Sequence, residues 1–222
     1  MWITFWIERK FGLEFINYGI YPRDFDGLKG IIFSPFLHGS MEHLFNNSIP
    51  IAVLLSAVRF FYRDISYRVV IIGIISSGFL TWTIGRESYH IGASGLVYVL
   101  ASFMFFNGLR SKYYRLVALS FAIVIVYGGL IWFIFPDIEK GISWEAHLSG
   151  FLVGIVLSRI FTVPNLLKEL KYEWQQTNYD PIQDKFMQRF DKNGNFQNIP
   201  KVDEVWSYFI YNLDIIYSIK EK

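Results

Sequence analysis

The chain has 222 residues, of which 53% are hydrophobic and 18% are charged, whereas soluble domains carry about 25% charged residues. Its formal net charge is +2, its basic residues occur in short groups, and it has no cysteine. This composition excludes an ordinary soluble enzyme, a nucleic-acid partner, disulfide bonds and cysteine catalysis.

Charged residues divide the chain at Pro164. Residues 1–163 contain 13 Lys and Arg and 10 Asp and Glu, while the 59 residues from 164 to 222 contain 8 and 9. This asymmetry predicts two domains, a transmembrane domain at residues 1–163 and a polar tail at residues 164–222. The tail is expected to form amphipathic helices at 168–176 and 201–219, with a turn at 191–195.

Apolar stretches predict the membrane helices in chain order. The first seven residues are apolar but precede three charged residues, which predicts a short or incomplete first helix. Proline and glycine then predict a structured loop over 21–34. Five full spans follow, at residues 43–58, 69–85, 88–109, 116–136 and 146–158, the last continuing to 163. The expected fold is all-α, a polytopic bundle of six membrane helices in which the first is short.

Basic residues near the helix ends predict the orientation. The turns at 59–68 and 110–115 each carry three Lys or Arg residues, whereas the alternate turns carry Arg86 and Lys140 alone. The basic turns are expected in the cytoplasm together with the tail, which places the loops at 21–35, 85–92 and 136–145 outside. A multi-pass protein of the bacterial inner (plasma) membrane is therefore expected. Arg86 and Glu87 are interpreted as a solvated pair.

Polar residues in membrane spans are rare and indicate functional sites. Under this topology all four histidines lie at the outer half of the membrane or its edge: His38, His43, His90 and His147. Asn47 lies one turn after His43 on the same helical face. Taken alone, a histidine at such a position is more often an interfacial hydrogen-bonding residue.

Ser94 lies in Gly92-Ala93-Ser94-Gly95, where a loop enters a span. Glycine permits a sharp bend, and the free N–H groups of a helix start face any anion that forms nearby. An acyl-transfer nucleophile needs this environment. A G-x-S-G tetrapeptide alone, however, more often reflects helix packing.

His147 begins the last span, beside a stripe of small residues at Ala146, Gly150 and Gly154. Such a stripe allows another helix to approach closely. If that helix begins at Ser94, the imidazole and the hydroxyl meet at the same depth in the membrane.

Together these motifs resemble the rhomboid family of intramembrane serine proteases, over residues 33–163. The family's G-x-S-G motif matches residues 92–95, its A-H-x-x-G-x-x-x-G motif matches residues 146–154, and its H-x-x-x-x-H-x-x-x-N pattern matches His38, His43 and Asn47. The resemblance implies a serine endopeptidase that cleaves transmembrane segments of membrane proteins in the lipid bilayer, with no cofactor and no metal.

The resemblance also implies a role for each matching residue. Ser94 would be the nucleophile and His147 its general base. The two would form a dyad without an acidic third member, because no Asp or Glu of the predicted spans lies at the depth needed to orient His147. Tyr98, one turn below Ser94, would stack on the imidazole. The oxyanion hole would be formed by His43, Asn47 and the Ser94 N–H. His38 would organise a water molecule or the neighbouring loop.

Three other classes of function are alternatives to a serine protease. A zinc site built from His38, His43 and His147 lacks the helix-borne H-E-x-x-H signature, since Asn47 stands four residues after His43. An intramembrane aspartyl protease needs paired aspartates, which the spans lack. A catalytically inactive rhomboid-like protein that binds membrane clients remains the alternative, although such relatives lose the serine or the histidine and both are present here.

Overall fold

The computed structural model describes residues 1–111, 113–136, 138, 141–161, 172, 174 and 179–197. Contacts divide the chain into two units, residues 1–167 and 168–222. All α-helices of the described residues lie in the first unit.

The first unit is built from helices joined by short loops. The α-helices are α1 Trp2–Phe11, α2 Gly30–Phe33, α3 Met41–Phe61, α4 Ser66–Ile84, α5 Ser94–Arg110, α6 Tyr114–Tyr127 and α7 Trp144–Ile160. A 3₁₀ segment, Gly128–Ile134, continues α6, and shorter 3₁₀ turns lie at Ile16–Tyr18, Asp26–Lys29 and Ser34–Phe36. Two isolated β-bridges occur, but no strand lies within the described residues. The prediction of an all-α, polytopic fold is confirmed.

Three helical segments of the described chain are long and apolar enough to cross a membrane, Met41–Phe61, Ser66–Ile84 and Tyr114–Ile134. Helices α5 and α7 have 17 residues each and so extend about 25 Å. They are the more enclosed helices, and α5 buries ten of its residues. By contrast, α6 exposes large apolar side chains such as Phe121 and Ile125, as expected of a helix that faces lipid.

The first helix is short, as predicted. Helix α1 passes through the charged residues at 8–10 and ends where Gly12 adopts a left-handed conformation with φ of 63°. Its ten residues extend about 15 Å, which is half of a bilayer core. Apolar length alone underestimated the helix, because charged side chains at its end reach solvent without breaking the backbone hydrogen bonds.

The span predicted to begin at residue 88 begins instead at Ser94. Residues before it form a loop in which the backbones of His90 and Ile20 exchange hydrogen bonds of 2.8 and 3.0 Å. Gly92 has a φ of 110°, a value outside the helical region that side chains other than glycine rarely adopt. The length of an uncharged stretch does not predict this non-helical segment before α5.

Helix α5 lies at the centre of the first unit. It packs most extensively against α7 and also contacts α3, α4 and α6. Its buried side chains Val99, Leu100 and Phe103 form one core with Leu54 and Leu157. The residues at the start of α5 are therefore held on a rigid, enclosed element.

In the second unit the predicted turn at 191–195 is present. The Asp191 carboxylate accepts hydrogen bonds from the backbone N–H groups of Asn193 and Asn195, and Gly194 has a φ of 82°. Residues 198–222, and all but Tyr172 and Trp174 of residues 168–176, lie outside the described residues, so the two predicted tail helices cannot be placed there.

Candidate functional site

Glycines allow α5 and α7 to approach each other closely. A Cβ added at Gly150 would lie 2.2 Å from the Gly95 carbonyl oxygen, and one added at Gly154 would lie 1.9 Å from the Ser102 hydroxyl. Neither position has room for a side chain. The stripe of small residues predicted from the sequence is therefore the surface on which α7 meets the helix that begins at Ser94.

Ser94 is the first residue of α5. Ala93 is its N-cap, and no side chain of the described residues makes a capping hydrogen bond there, so N–H groups at this end have no side-chain cap among those residues. The preceding loop is fixed by a 2.8 Å hydrogen bond from the Gly92 N–H to the Ser34 carbonyl. The half-buried Ser94 hydroxyl has no hydrogen-bond partner among the described residues and is available to a ligand.

His147 lies in the first turn of α7 and is 7% exposed. Its Nδ1 is 3.0 Å from the Phe133 carbonyl oxygen. Because a carbonyl can only accept, Nδ1 carries the proton, which leaves Nε2 with its lone pair free. Within the described residues Nε2 makes no hydrogen bond, so the structure brings the helices of Ser94 and His147 together without a hydrogen bond between the two side chains.

Tyr98 fixes the other side of the His147 ring. The two rings stack with centroids 4.5 Å apart and planes at 18°, and the Tyr98 hydroxyl donates to the Leu130 carbonyl at 2.6 Å. Leu130 and Phe133 both belong to the 3₁₀ segment Gly128–Ile134, which thus orients the tyrosine and the histidine together. The sequence does not predict this element, since a main-chain acceptor leaves no signature in residue type.

Helix α3 places His43 against the loop that precedes Ser94. A Cβ at Gly92 would lie 2.6 Å from His43 Nε2, so the imidazole occupies the space that this glycine leaves open. The edge of the His38 ring meets the His43 ring at a centroid distance of 4.9 Å. Asn47 is buried and donates one amide proton to the His43 carbonyl at 2.9 Å, which leaves its second amide proton available.

The expected pair between Arg86 and Glu87 is wrong. Arg86 Nε lies 3.7 Å from Glu145 Oε1, whereas Glu87 lies 3.9 Å from Arg23. Glu145 is a single acidic residue that no sequence motif marks, and it is 1% exposed. Proximity in sequence suggested the exposed Glu87 as the partner of Arg86, but the fold places the buried Glu145 beside it.

A small cavity of about 30 Å³ adjoins Gly92 and Gly95, and its polar lining includes Ser77, Thr81 and His90. A cavity of this size holds about one water molecule. No group of three or more His, Asp or Glu side chains in the described part of the chain is arranged to hold a metal ion.

Comparison with known proteins identifies relatives of this chain. The family model of the rhomboid domain matches residues 26–163. An uncharacterized protein of Mycobacterium tuberculosis is 35% identical over 156 residues, which cover 66% of this chain and 64% of that protein. An uncharacterized protein of Mycobacterium leprae is 32% identical over 158 residues, which cover 67% and 62% of the two chains. The chain thus spans less than two thirds of the length of these relatives. No solved structure gives a significant match.

Proposed function

Because the chain belongs to the rhomboid family, we propose that it is an intramembrane serine endopeptidase that cleaves transmembrane segments of other membrane proteins. It is an integral membrane protein with helices long enough to span a bilayer. The main support for the proposal is the state of His147, whose Nδ1 is held by the Phe133 carbonyl while Nε2 is free to take a proton at the same helix contact as Ser94.

In the proposed reaction Ser94 Oγ attacks the carbonyl carbon of the scissile peptide bond, and His147 Nε2 takes its proton. The imidazolium then gives this proton to the leaving amine, and an ester on Ser94 remains. His147 next removes a proton from water as the water oxygen attacks the ester carbonyl. The bond to Ser94 Oγ then breaks, the imidazolium returns its proton to Ser94 Oγ, and the carboxylic acid is released. The Phe133 carbonyl takes the orienting position that an aspartate holds in serine triads.

The negative oxygen of the tetrahedral intermediate needs donors that are unused in the ground state. We assign this role to the Ser94 N–H, the second amide proton of Asn47 and the His43 imidazole. Tyr98 holds the His147 ring, and His38 supports His43 through their ring contact.

If Asn47 belongs to the oxyanion hole, Asn47→Ala should lower kcat by roughly 10²- to 10³-fold and leave KM unchanged. The charge that Asn47 would stabilise exists only after attack by Ser94, so binding of the uncharged substrate does not depend on it. Initial rates over a range of substrate concentrations, measured together with melting temperature in detergent, provide the test.

Asn107→Ala is the matched control for this variant. Asn107 is also buried, but it lies near the other end of α5. Its amide donates to the Phe161 and Ser158 carbonyls at the end of α7. Its removal should lower the melting temperature and leave kcat intact, with a cost of ~0.6 kcal/mol typical of interhelical hydrogen bonds in membranes. The same pattern for Asn47→Ala would show that Asn47 is a packing residue.

For the location we propose the bacterial inner membrane, with Ser94 near the outer face and the tail in the cytoplasm. The matched relatives are mycobacterial, and the basic turns at 59–68 and 110–115 favour this orientation. The protease would occupy residues 1–163 and the polar tail residues 164–222.

The proposal is tested by treating membranes that contain the full chain with a fluorescent fluorophosphonate, which reacts with activated serine. We expect a labelled band at the mass of the chain that is lost in Ser94→Ala and retained in Ser149→Ala, since Ser149 is a fully buried serine two residues after His147 whose hydroxyl has no partner among the described residues. Equal labelling of the two variants would place the reactive serine elsewhere. Absence of label and of cleavage in the parent chain would favour the inactive, client-binding alternative.

A further inference from the structure

A second set of polar contacts joins the loop before Ser94 to the start of α7. Glu145 is 1% exposed, and its Oε1 accepts a hydrogen bond from the Arg86 backbone N–H at 3.2 Å. The same oxygen lies 3.7 Å from Arg86 Nε. The Arg86 guanidinium also donates to the Ile142 carbonyl at 2.6 Å. Arg86 is therefore held by residues 142–145 through both its backbone and its side chain.

His90 and Ser143 make a parallel connection. His90 Nε2 is 3.1 Å from the Arg86 carbonyl and Nδ1 is 2.5 Å from Ser143 Oγ. Since the carbonyl can only accept, Nε2 carries the proton and the Ser143 hydroxyl donates to Nδ1. Burial lowers the pKa of His90, which favours this neutral form. Ser143 Oγ also accepts from the Ala146 N–H at 3.3 Å, and thus caps α7.

These two connections join the segments that immediately precede Ser94 and His147. Residues 85–93 lead directly into Ser94, and residues 142–146 lead directly into His147. Any change in the separation of the two segments alters the separation of the two side chains. Neither Arg86 nor Glu145 makes a hydrogen bond to Ser94 or His147, so the hydrogen bonds that they do make act on these two residues through the backbone of the two segments.

Stability alone does not account for Glu145. A carboxylate is unfavourable to bury unless its oxygens are paired, and Glu145 Oε2 has no hydrogen-bond partner within the described residues. The first turn of α7 favours a negative charge, but the unpaired oxygen of a fully buried carboxylate adds a desolvation cost that an exposed carboxylate at a helix start does not have. Its Oε1 is nevertheless placed to hold the backbone and the side chain of one residue in the facing loop.

We propose that Glu145 is a positioning residue that, with Arg86, His90 and Ser143, fixes the loop before Ser94 to the start of α7. These four residues are called the outer clamp. The outer clamp sets the distance between the nucleophile and the base, and in this respect the inference rests on the proposed function.

The test measures backbone amide exchange and cleavage kinetics of the full chain in detergent. Glu145→Ala removes the acceptor of the Arg86 N–H, so amide exchange over residues 85–93 should become faster. The displaced loop should lower kcat on the order of 10- to 100-fold at unchanged KM. Glu145→Gln keeps an acceptor for the Arg86 N–H and should restore slow exchange and most of kcat. Arg86→Ala, a change at a half-exposed side chain, should likewise speed exchange over 142–147.

Glu87→Ala is the matched control, because Glu87 is the adjacent carboxylate but is 79% exposed and pairs with Arg23 instead. It should show parental exchange and kinetics. Parental exchange in Glu145→Ala and Arg86→Ala would overturn the outer clamp. Faster exchange with parental kcat would overturn its role in positioning. A parent chain that cleaves nothing would refute the proposed function, while the exchange rates would still decide whether the outer clamp joins the two segments.

Discussion

Replacing Ser94 or His147 with alanine is expected to lower cleavage of a transmembrane substrate by roughly 10⁴- to 10⁶-fold, and combining the two changes should cost no more than either one. Ser94 without a base remains a neutral, weakly nucleophilic alcohol, and His147 without Ser94 has no nucleophile to activate. The two residues therefore act as a unit, so their effects do not add. Initial rates in proteoliposomes, normalised to the folded protein, provide the measurement.

Ser94→Ala should fold and melt like the parent, because Ser94 has no hydrogen bond among the described residues and alanine is tolerated at the start of a helix. His147→Ala also loses the hydrogen bond to Phe133 and the stack on Tyr98, so its melting temperature should fall and its rate is compared per folded molecule. Substantial cleavage by His147→Ala would show that another group, such as His43, serves as the base. Loss of parental activity with EDTA and its recovery with zinc would instead support the metal alternative, since a serine dyad needs no metal.

Gly150→Ala is expected to impair both stability and catalysis. The added Cβ would lie 2.2 Å from the Gly95 carbonyl oxygen and 3.0 Å from Tyr98 Cβ, and the Gly95 backbone cannot move aside as a flexible side chain can. Helices α5 and α7 must separate, at a cost of about 1–3 kcal/mol for overpacking. Ser94 and His147 then move apart, and a displacement near 1 Å reduces kcat on the order of 10²-fold. Thermal melting and kcat on one preparation measure both effects.

Gly39→Ala is the matched control for this substitution. Gly39 is exposed, and the nearest atom to its added Cβ is the end of the Ile91 side chain at 3.8 Å, an ordinary van der Waals contact. It should melt and cleave like the parent. If Gly150→Ala does the same, α5 and α7 do not approach as closely as the structure indicates.

Spacing in the sequence predicted the helical fold and the association of the two helices that carry the candidate site. The reason is physical: Gly150 and Gly154 recur at i and i+4, and such a stripe of small residues allows another helix to approach closely. The start of α5 was not predictable from apolar length, because residues 88–93 contain no Asp, Glu, Lys or Arg and yet form a loop. Their conformation depends on backbone hydrogen bonds to Ile20 and Ser34. These residues are more than fifty positions away, so the sequence pattern around residues 88–93 does not predict the contacts.

The polar contacts around His147 were largely unpredictable for another reason. The resemblance to the rhomboid family implied that Tyr98 stacks on the imidazole, and the rings do stack. Glu145 drew no attention, because a single carboxylate at a helix start is common and its burial follows from tertiary packing alone. Its partner Arg86 is separated from it by about sixty residues, a distance over which residue type indicates little.

The 3₁₀ segment Gly128–Ile134 has a consequence for how this family member tolerates mutation. Its contribution to the site consists of two main-chain oxygens, those of Leu130 and Phe133, so most side-chain exchanges there preserve both acceptors. Length is a different matter: one inserted or deleted residue shifts a 3₁₀ helix by about 2 Å and a third of a turn, which removes both oxygens from their partners. Natural variants are therefore expected to vary freely in residue type along this segment and to conserve its number of residues.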